Sequence, residues 1–346
     1  MRGASPLDFT GGPITTGAVQ RVLALYGLGA GEVELRQGTA SQSVVADTAH
    51  GRVVIRRRRP EFCEPEVIRH DHALRAYLTT RGFPCPALLP AADGETWVEL
   101  DGAVYEISSF VAGEPFDAAS DAHLAGLGRT LGWLHELTCD WSPPAPKPWV
   151  REDHPSLLMA PLQDLIARAE APARATLLRA RERLVEIAAE MPDGAYAALP
   201  QCTIHGDVHP GNVLFDGGRV AALVDWDWAS RQPRIRDVCD GLIYFAAQRE
   251  SAIDGSDVRS LCQPWRLDLG RAAALLNSYR ERQTLCEAEA CAAPWQMASR
   301  WLQCRIRGAR KVPEAERVRF VADGLLEPID DLWRQREGLM GALSGR

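Results

Sequence analysis

Apolar residues recur at helical spacing between Thr16 and Tyr26 (Val19, Val22, Leu23, Tyr26), and Gly27 then offers a C-terminal stop. Three short runs with strand character follow at 33–37, 43–47 and 52–57, with Ala49-His50-Gly51 turning between the last two. Pro65 opens a helix that extends to about residue 81 and gathers Val67, His70, Leu74, Tyr77 and Leu78 on one side. Two more strands, 97–100 and 104–110, flank Asp101-Gly102, a strong hairpin signal. After Ala112-Gly113 the pattern turns helical at 122–137, 155–169 and 173–191. Strands return briefly at 202–205, 213–215 and 220–225. From 237 onward the chain reads as helix, with breaks near Asp254-Gly255, Pro264, Pro294 and Pro313. The expectation is an α+β chain of two lobes. Residues 1–110 form an antiparallel sheet with a helix, and 111–346 form a larger, mostly helical part.

A length of 346 residues suits two lobes, and 46% hydrophobic with 25% charged residues suits a globular chain. A net charge of -7 argues against a general nucleic-acid binder. The local exception is Arg56-Arg57-Arg58-Arg59. Strand alternation puts Arg56 and Arg58 on one face, Arg57 and Arg59 on the other. The nine cysteines contain no C-x-x-C pair, and residues 1–16 lack the apolar core of a signal peptide. The expected setting is a reducing cytoplasm. No apolar run reaches the roughly 18 residues of a membrane helix, so no membrane association is expected.

The chemistry concentrates in His205-Gly206-Asp207-Val208-His209-Pro210-Gly211-Asn212 and the following Val224-Asp225-Trp226. An Asp, an Asn five residues later and a second Asp after the next strand are what phosphoryl transfer needs. One carboxylate stands beside the attacking hydroxyl, and two oxygen ligands serve magnesium. Asp207 is then the catalytic base, while Asn212 and Asp225 hold Mg2+. Pro210-Gly211 makes the turn that returns Asn212 toward Asp207. The loop and its flanking strands occupy 203–227.

The segment HGDVHPGNVLFDGGRVAALVDW, His205 to Trp226, resembles the aminoglycoside phosphotransferase, homoserine kinase and choline kinase-like superfamily of small-molecule kinases. Supporting likenesses run in order along residues 30–245: Gly38-Thr39-Ala40-Ser41-Gln42-Ser43, Val53-Val54-Ile55-Arg56, Gly82-Phe83-Pro84-Cys85-Pro86, Leu131-Gly132-Trp133-Leu134-His135 and Asp237-Val238. The resemblance implies a protein-kinase-like two-lobed fold with ATP between the lobes. It implies that the loop with Gly38 and Ser41 covers the nucleotide. Arg56 stands where protein kinases place a lysine and would hold the α- and β-phosphates, a task suited to a guanidinium. Its helix partner would be Asp71, with Glu66 the rival. The backbone of 109–112, including Ser109 and Val111, would meet adenine.

The resemblance implies a small-molecule hydroxyl acceptor and leaves its identity open. Beyond Gly241 there are 16 Arg or Lys against 14 Asp or Glu, which disfavours a polycationic acceptor. Trp226, Trp228, Trp265, Trp295 and Trp301 read as core before they read as an amine cage. Two other readings stay open: a nucleotide-binding pseudokinase, disfavoured by the intact catalytic positions, and a protein kinase, disfavoured by the short stretch between Asp225 and Asp237.

Overall fold

The computed structural model describes residues 13–34, 42–144, 147–148 and 151–345. The expected nucleotide-covering loop, with Gly38 and Ser41, lies outside the described residues. The chain divides into two compact units. The first takes Met1–Glu114, Ser142–Pro148 and Ala221–Asp227; the second takes Pro115–Trp141, Trp149–Val220 and Trp228–Arg346.

The first unit contains α1 (Thr16–Leu25), β1 (Ala30–Glu34), β2 (Gln42–Thr48), β3 (Gly51–Arg57), α2 (Pro65–Thr79), β4 (Val98–Leu100) and β5 (Ala103–Ser109). The strands form one antiparallel sheet in the order β1-β2-β3-β5-β4. Thr48 pairs with Gly51 across the turn expected at Ala49-His50. Asp101 and Gly102 both take positive φ (52° and 75°), the type I′ geometry whose twist suits a two-residue hairpin. Val19, Val22 and Leu23 of α1 bury against Val44, Ala46, Val53, Ile55 and Ile107 of the sheet. The helix α2 buries Ile68, Leu74 and Leu78, and with them His70, Asp71, His72 and Arg75. Buried polar groups need partners, and these are found in the site below.

The second unit contains α3 (Asp121–Thr138), α4 (Pro155–Arg168), α5 (Ala173–Glu190), α6 (Asp193–Ala198), β6 (Gln201–Ile204), β7 (Val213–Asp216), β9 (Ser230–Pro233), α7 (Ile235–Gly241), α8 (Val258–Leu261), α9 (Leu269–Arg280), α10 (Glu287–Gly308), α11 (Arg317–Ala322) and α12 (Glu327–Ser344). The strand β8 (Arg219–Leu223) pairs with β7 and carries the chain back into the first unit. Ser120 caps α3 by accepting from the His123 N–H at 3.2 Å. Leu124, Leu127, Leu131 and Leu134 form its buried stripe. The helix α9 packs so closely on α3 that a Cβ at Gly128 would come within 2.3 Å of the Leu275 carbonyl oxygen. Trp265 and Trp301 are buried and meet edge to face at 6.2 Å, which makes them core. Pro294, expected as a break, lies inside α10, where Ala290, Ala293, Met297 and Trp301 bury a continuous face around it. Tertiary burial there outweighs the one backbone hydrogen bond a proline forfeits. Among the described residues no helix is long and apolar enough to cross a membrane.

Candidate active site

In the second unit, β6 ends in a loop whose backbone is clamped from below. Asp237, at the start of α7, accepts the N–H groups of His205 at 2.8 Å and Gly206 at 2.9 Å. Burial pushes the Asp237 carboxyl up, but His135, His205 and these N–H groups outweigh it and hold the group ionised. His135 is fixed in turn by the Tyr279 hydroxyl at 2.9 Å. Gly206 has φ 82°, and a Cβ there would lie 2.6 Å from the Trp228 carbonyl oxygen. Glycine is therefore required on both conformational and steric grounds. The Asp207 N–H donates to His205 Nδ1 at 3.3 Å, so His205 braces the loop.

Asp207 projects from this clamp with 32% of its side chain exposed. Burial raises its pKa, but His209, Arg300 and His205 overcome that and hold the carboxyl below the usual range. His209 Nε2 stands 3.6 Å from Asp207 Oδ2. Asn212 Nδ2 donates to the Asp207 carbonyl at 2.9 Å and to Oδ2 at 3.3 Å. The amide is thereby oriented, and its Oδ1 has no hydrogen-bond partner among the described residues. A fixed neutral oxygen of this kind suits a hard divalent cation. The turn at Pro210-Gly211 thus brings Asn212 back to Asp207, as the spacing led one to expect.

The first unit holds a dense ion cluster. Arg56 donates to Asp225 Oδ1 at 2.9 Å and to both oxygens of Asp227, at 2.9 and 2.5 Å. Glu106 of β5 lies 3.5 Å away. The expected Arg56–Asp71 pair is replaced: Asp71 binds Arg58 at 2.6 Å and Lys147 at 2.6 Å. Arg58 lies just past the end of β3, two residues beyond Arg56, and it is Arg58 that meets α2. Glu66 is exposed. Arg58 also reaches Glu106 at 2.8 Å, and Glu106 is further held by Arg75 at 2.9 Å and His72 at 3.0 Å. Burial favours a protonated Glu106, yet Arg58, His72 and Arg75 hold it well below the ordinary range. Burial lowers the Lys147 ammonium, with Asp71 opposing.

Five cations (Arg56, Arg58, Arg59, Arg75, Lys147) thus share five carboxylates: Asp71, Glu106, Asp225, Asp227 and, at 3.9 Å from Arg59, Glu61. Breaking a buried ion pair from one side strands the other charges. We expect Arg58→Met to cost about 3–5 kcal/mol of stability, read from urea unfolding, and an unchanged midpoint would refute the pairing.

Asp225 takes φ 63°, a left-handed conformation tolerated by Asp and Asn but uncommon elsewhere. It turns the chain from β8 into the short 3-10 turn Trp226–Trp228 and aims the carboxylate at Arg56. Trp226 packs edge to face on Phe83 at 6.1 Å. Of the residues expected to meet adenine, Ser109 has its N–H committed to the Ala87 carbonyl at 2.8 Å. The backbone of Val111 makes no hydrogen bond to a described residue. Sequence reasoning passed over Arg58, Glu106, Lys147 and the anchoring role of Asp227. Lys147 sits in the proline-rich segment, where no periodicity predicts a partner.

The family model described as "Phosphotransferase enzyme family" matches residues 32–275. A homoserine kinase of Rhodopseudomonas palustris (strain CGA009) is 26% identical over 293 residues, covering 82% of this chain and 81% of that protein. Another, from strain HaA2 of the same species, is 30% identical over 254 residues, covering 71% and 70%. In fold, the chain is similar to an amicoumacin kinase solved with AMP-PNP, Ca2+ and Ami, with TM-score 0.68, 14% identity and coverage of 94% and 95%.

Proposed function

Because this chain belongs to the phosphotransferase enzyme family, and so moves a phosphoryl group from ATP to a small-molecule hydroxyl, we propose that its acceptor is homoserine or a closely similar hydroxy amino acid. The observation that carries this reading is the likeness to proteins named homoserine kinase over most of both chains. The chemistry of the site is compatible with it. Asp207 is ionised and oriented to accept a hydrogen bond from the acceptor hydroxyl. As the hydroxyl oxygen bonds to the γ-phosphorus, the bond from that phosphorus to the β,γ-bridging oxygen breaks. ADP leaves, and the hydroxyl proton passes to Asp207 Oδ. A carboxylate of depressed pKa is a weak base, which suits a loose transition state in which the proton departs late.

Asn212 and Asp225 are the proposed donors to a divalent ion, which we take to be magnesium; when bound it would neutralise charge on the β- and γ-phosphates. Arg56 would hold phosphate oxygens with the planar fork of its guanidinium. Val111 would offer its backbone to the purine. The test is ADP release by the purified protein with ATP and Mg2+ against L-homoserine, choline, ethanolamine, aminoglycosides and macrolides. Homoserine is expected to give the highest kcat/KM. Preference for an antibiotic by tenfold or more would overturn the acceptor and keep the kinase.

A further inference from the structure

One charge in the second unit has no use in the chemistry above. Arg249 follows the helical segment Leu242–Ala246 that extends α7. Its Nε and Nη2 are shut off from solvent and hydrogen-bonded to nothing among the described residues. Its guanidinium lies 5.7 Å from the Tyr244 ring, and that ring lies 6.1 Å from the imidazole of His209, the neighbour of Asp207. Two neighbouring arginines already have partners: Arg300 makes a two-pronged pair with Asp240 at 2.8 and 2.9 Å, and Arg305 donates to the Cys262 carbonyl at 2.5 Å.

The acidic groups that act on Arg249 are Tyr244, Cys304 and Cys262, and none is a carboxylate. Burial draws its pKa down to about 10, with these three opposing. Cys304, whose thiol is drawn down to about 6 chiefly by its hydrogen bond with Cys262, offers no planar pair of acceptors. A buried guanidinium with two idle N–H groups on one edge presents the donor spacing of a carboxylate. Leaving it unmatched is costly in the empty protein and is repaid by an anion.

We infer that Arg249 is the acceptor's carboxylate anchor: it binds the α-carboxylate of a hydroxy amino acid whose hydroxyl is then presented toward Asp207. This rests on the proposed acceptor and adds the group that would select it. Arg249 sets specificity and takes no part in bond making, so its effect belongs in binding and KM and leaves kcat nearly unchanged.

The test compares L-homoserine with 3-amino-1-propanol, the same molecule without its carboxylate, by calorimetric titration and by turnover. The proteins are the wild type, Arg249→Met and Arg249→Lys. The wild type is expected to bind homoserine at least tenfold more tightly than the amino alcohol. Arg249→Met is expected to close that gap by weakening homoserine alone, and Arg249→Lys to restore part of it. Removal of an unmatched buried charge should leave the melting temperature unchanged or higher. Equal affinities in the wild type, a gap that survives Arg249→Met, or equal loss for both compounds with a lower melting temperature would each overturn the inference. Turnover of both compounds without preference would sink this anchor and keep the kinase. Discrimination in binding without phosphorylation of either would sink the proposed acceptor and keep the anion site. Binding of neither would overturn both.

Discussion

Asp207→Asn is expected to lower kcat by about 10²–10⁴-fold, with the KM for ATP changed little. The substitution keeps the size of the side chain and its place beside Asn212 Nδ2. It removes the negative charge that His209 and Arg300 help to hold. Asp237 clamps the loop through the backbone N–H groups of His205 and Gly206, so the loop should keep its shape without the Asp207 charge. Unfolding curves should therefore match the wild type closely. Because the Asp207 carboxyl is depressed below its ordinary value, it is ionised across the whole neutral range. Its own protonation then adds no acid limb to kcat between about pH 5 and 8. Any stability it contributes is complete above the unfolded carboxylate value and is lost only as pH falls through the folded one. Wild-type turnover by the variant would refute the role outright. An equal fall in kcat and melting temperature would make Asp207 a structural residue.

Much of this architecture was legible because local signals and tertiary packing agree. The α1 stripe, the hairpin at Asp101-Gly102 and the leucines of α3 all state their period in sequence, and each forms as read. The catalytic segment was legible for a related reason: Asp207 and Asn212 are joined by a short turn, so their meeting is a local event. What sequence hid was non-local or lacked periodicity. The strand β9 reads Ser-Arg-Gln-Pro, a polar run ending in proline, and is a strand only because β6 lies alongside it. The helix partner of the strand arginine was misjudged by two residues, Arg58 taking the place given to Arg56. Arg56 lies in β3 and Arg58 just past its end, and only the position of α2 decides between them. Glu106 and Asp227 draw their importance from cations far away along the chain. Arg249 showed nothing in sequence, since the sign of an unmatched buried charge is the absence of a partner in space.

The second large effect is expected at Asp225. Asp225→Asn should reduce kcat/KM by on the order of 10³-fold at ordinary magnesium concentrations, and part of the loss should return as magnesium is raised. Asparagine tolerates the left-handed φ of 63° that the position imposes, so the chain can still turn out of β8. Arg56 loses one charged partner at 2.9 Å but keeps both oxygens of Asp227. The cluster therefore remains anchored, and a large fall in melting temperature is not expected. What the variant lacks is a charged hard-oxygen donor, and a neutral amide oxygen binds a divalent cation less well. Asp227→Asn is the contrasting variant. Asp227 is buried with Arg56, Arg58 and Arg59 around it, and burial of its carboxyl is outweighed by Arg56 first and then Arg58. That substitution should destabilise the first unit and leave the magnesium requirement of the remaining active protein unchanged. The two variants together separate a metal donor from an ion-cluster anchor. A magnesium dependence at Asp225→Asn equal to the wild type, or a metal-rescued defect at Asp227→Asn instead, would exchange the two assignments.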